Sequence, residues 1–156
     1  MQQANAACLL DWQQAQANLR EATGHNDGAG VLALVRAGGG RPGDEWCGFF
    51  QRAAQVHCQL PYPAGAGGSY NWFLVNNPRT FYLRGQRGSV GDIQPGHKVG
   101  FYNPAKGRIS HIGSVRATTR NGFVTDEGNT GTGRNAGVHR LSRGKGEIYA
   151  GANWLY

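Results

Sequence analysis

The chain has 156 residues, 39% of them apolar, which suits one domain with a core of its own and excludes a disordered chain. Its apolar runs are only a few residues long, too short for a membrane-spanning helix, so no membrane insertion is expected. The net charge of +7 is uneven: from Arg79 onward Lys and Arg far outnumber the four acids Asp92, Asp126, Glu127 and Glu147, and such a surface attracts polyanions (nucleic acid, anionic lipid, bacterial wall) or simply aids solubility.

Leu9, Leu10, Trp12, Ala15 and Leu19 recur at helical spacing and predict a first helix over Gln3–Glu21. Gln, Asn and Asp interrupt its apolar residues, unlike a Sec signal peptide, so synthesis in the cytoplasm and delivery to the wall by lysis or a dedicated secretion machine are expected. Thr23–Gly28 breaks the helix, and Asn26 or Asp27 should cap a second one over Gly28–Ala37. After the turn-rich Gly38–Gly43, a third helix should run from about Asp44–Trp46 to Cys58, ended by Pro61 and Pro63. Gly65–Arg87 is rich in glycine and aromatics, with one short helix near Tyr70–Val75. Beyond Pro95 the period becomes two, predicting strands at His97–Tyr102, Ile109–Ala117, Phe123–Asp126, Gly137–Leu141 and Glu147–Gly151. Helices followed by a meander give an α+β fold in one domain over 1–156: an N-terminal helix (1–23), a helical part (24–94) and an antiparallel sheet of five to six strands (95–156).

Cys8, Cys47 and Cys58 form an odd set without a CxxC pair, which argues against a disulfide framework and a zinc site. Cys47 follows a loop and opens an apolar helix, where free N–H groups and the helix dipole favour a thiolate and can hold an oxyanion. Cys8 within a helix and Cys58 at a helix end have neither advantage.

A cysteine nucleophile needs a base within hydrogen-bond reach. His57 lies on the same helix about 15 Å along and is excluded. His25 sits in a turn, and His139 is flanked by Val138 and Arg140 in a strand. His111 is mid-strand, and Gly113 points the same way, leaving room beside the ring for substrate. Phe123–Asn129 offers partners to orient the ring. A two-residue turn at Asn121-Gly122 would put Asp126 on the face of His111, whereas one bulge or a longer loop would put Glu127 there.

Trp46-Cys47-Gly48-Phe49-Phe50, His111-Ile112-Gly113 and Glu127-Gly128-Asn129, in this order, resemble the three conserved blocks of CHAP domains, relatives of the NlpC/P60-like and papain-like cysteine peptidases. Asn26-Asp27-Gly28 is similar to the lead-in of one CHAP subgroup, and Pro95-Gly96 to the family's Pro-Gly-Asp turn, with His97 in place of Asp. The resemblance covers roughly residues 21–156. It implies a papain-like fold with Cys47 as nucleophile, His111 as base and acid, Glu127 orienting His111, and Asn129 and Asp126 as auxiliary polar residues. Choosing Glu127 in turn predicts a bulge. Trp46, Gly113 and Trp72 are expected to face substrate. No cofactor or metal is expected, since no acid-rich loop offers a calcium site. The expected substrate is peptidoglycan, cut at the muramoyl–L-alanine amide or within its peptide by a monomer. The contexts implied are a phage-type lysin or a secreted antibacterial effector with an immunity protein.

Other patterns weigh less. Gly28–Ala33 fits GxGxxA but lacks a preceding strand. Trp72, Phe73, Phe81 and Tyr82, interleaved with Arg79, Arg84 and Arg87, could stack on nucleobases, but such aromatics more often form core or line a groove, here one to receive the glycan with the arginines on wall carboxylates. The competing readings are a non-catalytic wall- or polyanion-binding module, and a deamidase or transglutaminase-like toxin built on the same three residues.

Overall fold

A computed structural model describes residues Met1–Tyr156. Three helices, α1 (Gln2–Ala15), α2 (Ala29–Ala37) and α3 (Cys47–His57), precede six strands: β1 (Thr80–Leu83), β2 (Lys98–Asn103), β3 (Arg108–Thr118), β4 (Gly122–Thr130), β5 (Gly137–Gly144) and β6 (Ala150–Ala152). The strands form one antiparallel sheet in the order β1-β6-β2-β3-β4-β5, so the chain is α+β. No helix is long and apolar enough to cross a membrane.

α3 lies against β3 and β4. Between it and the sheet, Cys47, Trp72, Phe73, Ile109, Ile112 and Trp154 form one buried cluster. Because strand side chains alternate, Val99, Val115, Phe123 and Ile148 form a separate cluster with Tyr82 and Ile93. α1 docks through Leu9 and Leu10 on Ala54, Leu60 and Leu155.

α1 ends six residues before the expected end at Glu21. The chain is drawn off to the sheet: Arg20 bridges to Gly137, and the Glu21 N–H donates to Ala136 O at 2.8 Å. Tertiary pairing here overrides helix propensity. α2 is capped by Gly28 at φ 99°, not by Asn26 or Asp27. The Asn26 N–H donates to Glu21 and its amide to Gly43 O, while the Asp27 carboxylate accepts from Thr23. β1, which no period-two pattern announces, is an edge strand held by β6.

Two corrections concern distant pairings. Cys8 and Cys58 are joined in a disulfide across 50 residues, leaving Cys47 as the one free thiol. An odd cysteine count argues against a disulfide framework, but this single bond needs α1 laid beside the end of α3, a juxtaposition no local pattern reveals. The β3–β4 connection is also longer than two residues: Thr118 pairs with Phe123, and the Thr119 N–H donates to Gly122 O. β3 carries an extra residue at Ser110 against β2 and another at Arg116 against β4. The bulge at Arg116 shifts register so that Ser114 faces Asp126, and by continuation Gly113 faces Glu127.

Beneath α3 sits a buried amine. Lys98 is fully enclosed, and its Nζ donates to Gln51 Oε1 (2.9 Å) and Ser114 Oγ (2.8 Å) with no carboxylate beside it. Gln13 of α1 donates to the same two oxygens. This polar knot ties α1, α3, β2 and β3 together one helical turn below Cys47. Burial drives the Lys98 pKa well below its ordinary value.

Candidate active site

Cys47 opens α3, and no side chain caps that helix. The first-turn N–H groups therefore point outward beside the sulfur. Close packing fixes the position: a Cβ on Gly48 would lie 2.3 Å from Gly67 O, so only glycine lets the 66–67 loop rest on this turn. The preceding loop is anchored through Glu21, which is 5% exposed. Its carboxylate accepts from Trp46 Nε1 (2.8 Å) and the Asn26 N–H (2.9 Å). Asn129, at φ 58°, joins them: its amide donates to Glu21 (3.2 Å) and Asn26 (3.0 Å), and its carbonyl accepts from the Trp46 N–H (3.1 Å). Asn129 thus holds the backbone entering Cys47 and does not touch His111 in this arrangement. Glu21, absent from the sequence reading, is the centre of the network. Three donors converge on it, from Trp46, Asn26 and Asn129.

The Cys47 thiol lies at β3, 4.0 Å from Ser110 O and facing the His111 ring. On its other side His111 donates from Nε2 to Glu127 Oε2 at 2.6 Å. With Nε2 committed to a carboxylate, Nδ1 is the nitrogen left for sulfur. Burial alone would push the His111 pKa down. Hydrogen bonds with Cys47 and Glu127, and the attraction of both, outweigh it and lift the value to about 9.

Glu127 has no exposed surface, and all its acceptor positions are used. Oε1 accepts from Thr125 Oγ1 (2.6 Å) and Arg143 Nε (2.8 Å), and Oε2 from His111 and Arg143 Nη2 (2.7 Å). Burial pushes the Glu127 pKa up, but hydrogen bonds from Arg143, His111 and Thr125 reverse this and hold it at about 2. Neither Arg143 nor Thr125 was marked by the sequence, because Arg143 reaches Glu127 across the β4–β5 ladder.

The structure brings Cys47, His111 and Glu127 together. Asp126 instead points to the other face, paired with Arg116 (2.6 Å) and Arg140 (3.0 Å), and has no contact with His111. The three residues expected to face substrate do not. Trp46 and Trp72 are wholly buried, Trp46 on Glu21 and Phe50, Trp72 edge-on to Trp154. Gly113 is buried, and its missing side chain makes room for Glu127: a Cβ there would lie 2.8 Å from Glu127 Cγ. Phe73 and Tyr82 are likewise core residues.

An open cleft of about 500 Å³ does adjoin the site. Its walls are Arg84, Phe101, Tyr102, Pro104, Glu147 and Tyr149, and His111 and Arg143 reach it. Tyr102 stacks on Tyr149 with ring centres 4.7 Å apart and is 42% exposed. Across the loops, Lys106 of the β2–β3 turn pairs with Glu45 just before Cys47 (2.9 Å). No group of three or more His, Cys, Asp or Glu side chains is placed to hold a metal ion. Among known proteins, no family model, curated protein or solved structure matches the chain.

Proposed function

We propose that the chain is a CHAP-like, papain-like cysteine amidohydrolase acting on peptidoglycan, at the muramoyl–L-alanine amide or within the peptide. The observation that carries this reading is His111, hydrogen-bonded to Glu127 at 2.6 Å and bordering an open cleft, with the thiol of Cys47 beside it at an uncapped helix N-terminus.

In this mechanism the Cys47 thiolate attacks the amide carbon, and the carbonyl oxygen takes the negative charge. First-turn N–H groups of α3, with that of Cys47 foremost, are oriented to receive it. His111 gives its Nδ1 proton to the leaving amine and then takes one from the water that hydrolyses the thioester. Glu127 fixes the ring by holding Nε2–H, as the third member of a triad does. A papain-like hydrolase of this kind takes no cofactor. The basic face would meet the anionic wall, and a lysin or an injected effector are its two contexts.

The test is digestion of purified sacculi with mass spectrometry of the released fragments. Wild type should release fragments with a new amino terminus or a free lactyl end. Cys47→Ala and His111→Ala should release none. Intact sacculi after wild-type treatment would refute the substrate assignment.

A further inference from the structure

The triad-like line has an unbalanced charge. When Cys47 and Glu127 are both ionised, two anions share a single imidazolium in a site where Glu127 is wholly buried. Such a cluster draws in a proton, and the thiolate or the carboxylate is lost. Arg143 supplies the missing cation. It grips Glu127 with two parallel bonds, Nε to Oε1 at 2.8 Å and Nη2 to Oε2 at 2.7 Å. Its guanidinium lies over the Phe101 ring at 4.6 Å, and the same ring packs 5.5 Å from His111. Glu147 at 3.2 Å engages the remaining nitrogen, Nη1. The planar fork is thus fixed on three sides, a geometry lysine cannot copy.

We infer that Arg143 is a positioning residue: it keeps Glu127 ionised and aimed at His111, so that the imidazolium is free to hold the Cys47 thiolate. This rests on the reading of Cys47 and His111 as the reactive pair. The charged groups around Glu127 are His111 from β3, Arg143 from β5 and, through Arg143, Glu147. Asp126, Arg116 and Arg140 lie on the opposite face.

Iodoacetamide labelling tests it without any substrate. With Cys8 and Cys58 bonded, Cys47 is the sole free thiol, so the labelling rate against pH reports one residue. Removing a nearby half-buried cation raises the proton affinity of the whole cluster. In Arg143→Met the acid limb of the labelling profile should therefore move up by about one pH unit, making labelling about tenfold slower on that limb. In a Glu127→Gln background the same substitution should move it by less than half as much, because the anion it serves is gone. Arg143→Lys should restore most of the shift but not the full plateau rate. An unmoved limb in folded Arg143→Met, or an equal shift with and without the Glu127 charge, would overturn the role. If Arg143→Met does not fold, Arg143→Gln is subjected to the same comparison. Sacculus digestion is scored separately: if wild type leaves sacculi intact while Arg143→Met still shifts the labelling limb, the substrate is refuted and the positioning role is upheld.

Discussion

The Cys8–Cys58 disulfide closes a loop with a sequence separation of 50 and ties α1 to the end of the helix that Cys47 begins. Fixing a loop of that length removes about 14 cal/mol/K from the unfolded chain, which is about 4 kcal/mol at 25 °C. At about 2.1 cal/mol/K per residue, unfolding this 156-residue chain near 60 °C carries about 330 cal/mol/K. Cys8→Ser/Cys58→Ser should therefore melt about 12 °C below wild type. The variant should stay folded at 25 °C, because Leu9 and Leu10 of α1 remain buried and Gln13 keeps its bonds to Gln51 and Ser114. Calorimetry on both proteins in a Cys47→Ser background, with and without reductant, avoids thiol exchange. Reductant should lower the melting point of the bonded protein to that of the double variant and leave the double variant unchanged. A difference under about 3 °C would refute the reasoning, and would mean that the unfolded chain already holds α1 and α3 close.

Three further outcomes follow from buried groups. His97 is 8% exposed, burial holds its pKa at about 4, and its Nδ1 accepts from the Gln94 N–H. The unfolded chain gains that proton first, so stability falls as pH drops from about 6.5 to about 4, by up to about 3 kcal/mol. His97→Asn, which keeps an acceptor, should flatten that slope in urea melts, and an unchanged slope assigns it elsewhere. Lys98→Met should cost nothing or add about 1 kcal/mol at neutral pH, because an enclosed amine whose charged form burial disfavours, with no carboxylate beside it, is replaced by an apolar chain. Since the Lys98 pKa is depressed, wild type gains stability as pH rises toward the unfolded value of about 10.4, and the variant should lack that gain. A parallel pH dependence in both proteins contradicts this. Gly113→Ala should leave the chain folded but push Glu127 off His111, lowering sacculus hydrolysis about 100-fold, as misplacements near 1 Å do. Activity within twofold of wild type would show that Glu127 can shift at no cost.

Local pattern was enough for the α+β order, for the start of α3 at Cys47 and for a mid-strand His111. Helical and strand periods, a loop-to-helix junction and a turn are all properties of neighbouring residues. The third partner was not of that kind. Which of Asp126 and Glu127 faces His111 depends on parity along β3 and β4, and the extra residue at Arg116 sets that parity. Side-chain direction within a strand is local, but register between strands is a global result of packing. The same reason hides Arg143, which meets Glu127 across a ladder, Glu21, which gathers donors from three segments, and the disulfide. It also explains why Trp46, Trp72 and Gly113 were misplaced: composition marks a residue as aromatic or small, and only the packed fold decides whether it faces solvent or a neighbour's side chain.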